Sequence, residues 1–187
     1  MRNKHTRPGA AFSSPAVTTG RGFFLEILMN RNTFMKTHLP WATKASEATG
    51  IQVCVLMIAA IKSCNAGETA EYKAHNTCFL LPPGDDWKGP TFTKKLLGKR
   101  EGYFAWRIKP FRDYDGDWEQ NFMDFATWLK DKCPELVGAT DMKTITKGLA
   151  KANIPPREYI SAHEYKILFR NLLPNLIKNG ILPPQEG

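Results

Sequence analysis

"IQVCVLMIAAIKSCNAGETAEYKAHNTCFLL", residues 51–81, decides how the rest of this 187-residue chain is read. Residues 51–63 are apolar on nearly every face, with no wet stripe at helical spacing, so they predict a central helix buried all round. The run ends on Lys62 and Ser63 and gives way to polar residues, among which a shorter helix is expected at about Thr69–His75.

Upstream, Asn32 or Thr33 reads as an N-cap for a helix from Phe34 to about Thr49, closed by Gly50, with Pro40 implying a kink or a later start. Downstream, "PPGDDWKGPTF", residues 82–92, breaks helicity, and the threonines and aromatics of residues 91–112 around a glycine-bearing turn predict a β-hairpin. Trp118, Phe122, Phe125 and Leu129 recur at near four-residue spacing, a core-facing helical stripe. Two further helices are expected at about Met142–Ala152 and His163–Asn179, with Gly180 stopping the second. The fold class is therefore α+β, mostly α-helical with one small hairpin.

Length and composition fit one domain: hydrophobic residues make up 42% and charged residues 24%. No apolar run approaches the roughly 20 residues that span a bilayer. The stretch Phe23–Met29 is too short for a secretory core and carries Glu26, so no cleaved signal is expected and the localisation stays open. Residues 1–22 are rich in Gly, Pro, Ser and Thr and read as an extended basic arm ahead of a domain over 23–187.

The formal charge is +8. Residues 1–36 hold six Lys/Arg against Glu26 alone, a net of +5, and the remaining +3 reads as spread over the globular part. A basic arm suits nucleic acid, a membrane surface, an acidic protein neighbour, an organellar presequence or plain solubility, and composition does not choose among them. Cys54, Cys64, Cys78 and Cys133 contain no CxxC pair, and the four histidines lie far apart, so no metal site or cofactor is expected. Free buried thiols fit a reducing compartment; if a disulfide forms, Cys64–Cys78 would brace the loop after the central helix.

In their order and spacing, residues of about 24–179 resemble the bacterial and phage glucosaminidases, lysozyme-like enzymes that cut peptidoglycan at N-acetylglucosamine. "FMKTHLPWATKASEATGI", residues 34–51, is similar to the family's first helix, and the next segment can be followed through Gly67, Thr69, Asn76 and Phe79. "DWKGPT", residues 86–91, resembles the Trp-x-Gly opening of the family's β-lobe, and "FRDYDGDWEQNFMDF", residues 111–125, its Phe-Arg-x-Tyr segment and following helix. Tyr159 and Tyr165 keep the spacing of two tyrosines that line the family's cleft. The resemblance implies a lysozyme-like helical domain with a small β-hairpin lobe, and a glycan-contacting set of Asn76, Phe79, Trp87, Tyr103, Tyr159 and Tyr165. Trp106 is a further aromatic that either stacks on sugar or packs on the hairpin's own core.

The departures fall where the family keeps its chemistry. The catalytic glutamate that ends the buried helix is replaced by Ser63, and the Gly-Trp-Gly-like turn after it reads Asn65-Ala66-Gly67. The β-lobe acid is best matched by Lys95 after Thr93, and the aspartate between the two tyrosines by Ala162. Cleaving a glycosidic bond requires a proton delivered to the departing oxygen while positive charge builds on the sugar. A carboxylic acid of raised pKa supplies it; a serine hydroxyl does not, and Lys62 beside it opposes an oxocarbenium. Glu68, Glu71, Asp85, Asp86 and Glu101 are the carboxylates that could stand in, Glu101 foremost, although each also reads as a solvated surface charge.

The expectation is a catalytically degenerate glucosaminidase-like domain that contacts cell-wall glycan or serves as a structural part. The arm would hold it to protein partners in a larger assembly such as a phage tail or baseplate, with nucleic acid the weaker alternative. The competing expectation is an active peptidoglycan hydrolase using a displaced carboxylate such as Glu101.

Overall fold

A computed structural model describes residues 20–100, 103–155 and 160–183, with side chains from Arg31 onward except over 98–104. The apolar run forms helix α2 (Val53–Cys64), following the long first helix α1 (Gly20–Thr49). Ten of the twelve residues of α2 are buried, which makes it the axis of the core. Helix α1 packs against it and against α4 (Trp118–Lys132), while α5 (Met142–Ala152) and α6 (Ala162–Lys178) pack on each other and on its other side. Short helix α3 (Ala70–His75), capped by the Thr69 side chain, leads toward the hairpin of β1 (Thr91–Arg100) and β2 (Tyr103–Arg112).

The hairpin is antiparallel, in register from Thr91 opposite Arg112 to Arg100 opposite Tyr103. Its base rests on a second, small apolar cluster of Leu80, Phe92, Leu96 and Phe111, separate from the main core. The helices expected after Trp118, at Met142–Ala152 and near His163–Asn179 all form, and left-handed Gly180 follows the last of them. A turn of 3-10 helix at Pro134–Leu136, unannounced by the sequence pattern, links α4 to α5.

The first helix departs from expectation. It begins at Gly20, not Phe34, and runs on through Pro40. Asn32, read as its cap, instead accepts a hydrogen bond from the Asn179 side chain at 2.8 Å and so ties α1 to the end of α6. Pro40 is exposed, so the carbonyl it leaves unpaired can turn to water. Residues 20–22 therefore belong to α1 and not to an arm; residues 1–19 lie outside the described chain.

Two features of the packing carry measurable consequences. A Cβ on Gly148 would sit 2.6 Å from Leu136 Cγ, and Leu136 is fully buried. Gly148→Ala gains roughly 1 kcal/mol of helix propensity but overpacks this contact at about 1–3 kcal/mol. A net loss of stability on chemical denaturation is expected, opposite to the usual effect of removing a helical glycine.

His38 is fully buried among Phe34, Trp41, Tyr72, Trp118 and Phe122, stacked on Phe34 at 4.2 Å between ring centroids. Its Nδ1 lies 3.0 Å from the Phe34 carbonyl and its Nε2 3.3 Å from the Tyr72 hydroxyl. Burial pulls its pKa below 6.5, against the Phe34 bond, which raises it. The unfolded chain therefore takes up this proton more readily than the folded one. The His38 contribution is intact above pH 6.5 and is lost as pH falls below it, at up to about 1.4 kcal/mol per pH unit. In His38→Phe, that part of the acid slope in urea-denaturation stability should vanish.

Candidate functional site

The last turn of α2 is where the main chain is most contorted. Asn65, Ala66 and Gly67 all take positive φ, at 51°, 54° and 90°, and the Cys64 carbonyl accepts from the N–H groups of Gly67, Glu68 and Thr69. Such a run of left-handed residues folds the chain sharply back, a geometry costly for Ala66. Ser63 is held just inside this turn, 4% exposed. Beside it, Lys62 reaches the Glu164 carboxylate at 4.0 Å. Glu164 also closes the capping box of α6, accepting from the Ser161 N–H at 3.0 Å.

The turn delivers the chain into α3, and α3 binds the hairpin. Glu71 accepts a 2.6 Å ion pair from Lys94 of β1. His75 stacks flat on Phe92, 3.8 Å between centroids, and its Nδ1 meets the Asp113 carboxylate at 2.8 Å. Between the inner face of the hairpin and the Pro82-Pro83 loop lies a cavity of about 190 Å3 lined by Pro82, Pro83, Leu96, Lys109, Pro110, Phe111 and Pro155, with no carboxylate among these residues.

The charge state of the acids around the turn follows from their partners. Burial pushes the Glu71 carboxyl up, but the hydrogen-bonded Lys94 ammonium more than cancels this and leaves it below the ordinary value. The Ser161 N–H and hydroxyl hold Glu164 below its ordinary value as well. Both carboxylates are therefore ionised at neutral pH. A proton donor needs the opposite shift.

On the hairpin, Lys95 lies exposed on the outer face with its ammonium 5.4 Å from the Trp106 ring centroid, while Lys94 turns inward. Ala162 opens α6 and lines a separate cavity of about 270 Å3 with Met142, Lys143, Thr146, Lys147, His163 and Lys166.

The expected glycan-contacting residues divide. Phe79 is fully buried, its ring stacked on Phe125 at 3.6 Å between centroids, and so belongs to the core. Tyr165 is also buried: with Phe169, Leu172 and Leu176 it forms the inward stripe of α6, and burial raises its phenol pKa. Asn76 is exposed but serves the backbone, capping α3 with a left-handed φ of 46°. Trp87 is half-buried; its Nε1 donates to the Pro90 carbonyl at 2.9 Å, and the Arg112 guanidinium sits 5.0 Å from its ring centroid. Tyr103 begins β2 but its side chain is not described, and Tyr159 and Glu101 lie outside the described residues.

Trp106 does not pack on the hairpin core, being 62% exposed. Asp85 and Asp86 are exposed, as is Glu68, which pairs with Lys73 at 2.9 Å. Cys64 and Cys78 are hydrogen-bonding neighbours, as their proposed pairing requires, but all four cysteines are free thiols; burial, with Cys64 alongside, pushes Cys78 well above its ordinary value.

Sequence reasoning missed the ties that join α3 to the hairpin. Glu71–Lys94 and His75–Asp113 cross between elements at spacings that follow no periodicity, so only the presence of an acid and a histidine on one short helix hinted at them. It also missed Asn121, a fully buried amide on α4 that anchors the loop after α3.

At the level of sequence, no family model and no characterised protein matches the chain. Solved structures do. A peptidoglycan hydrolase mutant from Sphingomonas sp. A1 superposes with a TM-score of 0.64 at 20% identity, over 79% of this chain and 99% of that one. The catalytic domain of the autolysin Auto from Listeria monocytogenes gives 0.60 at 14% identity, over 90% and 98%. A C-terminally truncated glycoside hydrolase domain of FlgJ from Salmonella typhimurium gives 0.57 at 16% identity, over 77% and 98%. The fold is the one these hydrolase domains share, lysozyme-like, with helices around a buried axis and a two-stranded lobe.

Proposed function

We propose that this domain contacts cell-wall glycan in a lysozyme-like groove without cutting it. The observation that carries the reading is the chemistry at the end of α2. A serine occupies the place where the fold's hydrolytic relatives would be expected to hold an acid, and Glu71 and Glu164 are fixed as ionised partners of Lys94 and of Ser161 and Lys62. Loss of a positioned general acid removes about 10² to 10⁴ in rate.

What supports glycan contact is the retained fold together with Trp87 and Asn76, which stay at least partly open on the hairpin side of the molecule. The wider setting, a structural component of an assembly that meets the cell wall such as a phage tail, rests on the basic residues Arg2, Lys4 and Arg7 and on Glu71 and Glu164, two described acids around the end of α2, both being held ionised. Sedimentation with purified peptidoglycan tests the contact. The full chain should pellet with the insoluble wall and be released by soluble muropeptides. A chain that stays in the supernatant at every wall concentration contradicts the reading.

A further inference from the structure

The positive charge of the globular part is not spread. Residues 91–112 hold seven Lys/Arg against Glu101 alone, a net of +6, which leaves the rest of 37–187 at −3. Of these cations Lys94 pairs with Glu71 and Arg112 with Asp124; the others belong to the two-stranded hairpin. Two ten-residue strands reach about 33 Å, and among the described side chains Phe92, Leu96 and Phe111 pack at the base on the inner face.

The outer face is neither polar nor covered. The cross-strand pairs Leu97–Trp106, Lys95–Ile108 and Thr93–Pro110 lie side by side on it. Leu97 is 48% exposed, Trp106 62% and Ile108 73%, three of the five large exposed apolar side chains among the described residues. Lys95 lies on the same face, its ammonium over the Trp106 ring at 5.4 Å from the centroid. An apolar ridge that includes an indole and is bordered by cations has the composition of a segment seated in a headgroup layer.

We infer that the outer face of the hairpin docks on an anionic lipid bilayer, with Trp106, Ile108 and Leu97 entering the interface and Lys95 beside them, together with the net positive charge of the hairpin, drawing it to acidic headgroups. A purely polyanionic partner, such as nucleic acid or a phosphodiester polymer, would use the cations and leave the three apolar side chains in water. No described helix is long and apolar enough to cross a membrane, so the contact is peripheral. The inference does not depend on the state of the groove at α2.

Vesicle co-sedimentation of the full chain tests it, comparing vesicles of phosphatidylglycerol and phosphatidylcholine in equal parts with vesicles of phosphatidylcholine alone. Binding is expected to the former, and to the latter at least tenfold more weakly. Trp106→Ala with Ile108→Ser should cut partitioning onto the anionic vesicles at least tenfold, and Lys95→Glu about tenfold. All three side chains are exposed, so the thermal midpoint should not change. A blue shift of tryptophan emission on binding should be largely lost in Trp106→Phe, which separates the hairpin from any contribution of residues 1–19. No binding to anionic vesicles would overturn the inference. So would binding indifferent to the Trp106→Ala and Ile108→Ser pair, and equal retention by soluble polyphosphate through the lysines alone would reassign the surface to polyanions.

Discussion

Asn121→Ala should destabilise the fold by about 1–3 kcal/mol, a large loss for a single polar side chain. Asn121 is fully buried on α4. Its Oδ1 accepts from the Cys78 N–H at 3.0 Å, and its Nδ2 donates to Thr77 Oγ1 at 3.0 Å and to the Phe79 carbonyl at 3.4 Å. Thr77 in turn donates to the Phe79 carbonyl at 2.8 Å. One amide thus satisfies the backbone of the loop that carries the chain from α3 toward the hairpin, in a place water does not reach. Alanine would strand the Cys78 N–H, and a buried unpaired donor costs far more than an average hydrogen bond contributes.

Asn121→Asp separates geometry from charge: it keeps the acceptor for Cys78 but loses the donor to Thr77 and Phe79, and brings a carboxylate into the core. It too should destabilise, increasingly as pH rises and the acid ionises. Urea midpoints read at pH 5 and pH 8 check both variants. An alanine variant within 0.5 kcal/mol of wild type would mean that the loop finds other partners.

Much of the architecture was legible because each helix after the first carries its own punctuation. The α4 stripe of Phe122, Phe125 and Leu129 is buried as its spacing implied, while the capping side chains of Asp117, Asp141 and Ser161 were present in the sequence but went unread. The start of α1 was not legible, because Asn32 has the chemistry of a cap and only the distant Asn179 shows that it is spent elsewhere. The site was legible at one point and obscure at others. Chain order alone placed Ser63 at the end of the buried helix. Phe79 was read as glycan-contacting from its place in a matching segment and Tyr165 from its six-residue spacing to Tyr159, and neither signal says which face a side chain occupies. In Tyr165 the competing signal, its phase with Phe169, Leu172 and Leu176, was present in the sequence and decided the outcome. The hairpin charge was also there to be counted, and was lost by averaging over the whole globular part.

The second large effect concerns rate. If the end of α2 carries no proton donor, the deficit relative to a hydrolase with a positioned acid is about 10² to 10⁴, and neither Glu71 nor Glu164, both held ionised, makes it good. Replacing Ser63 should then change nothing in turnover, because the hydroxyl contributes no proton, whereas in an enzyme that used this turn the same substitution would be expected to matter.

The decisive measurement is the release of new reducing ends from purified peptidoglycan by the full chain, beside Ser63→Ala and Glu101→Gln. The account predicts no release above buffer for any of the three. Sustained release by the wild-type chain that disappears in Glu101→Gln would contradict it, and would place the missing acid at the turn of the hairpin.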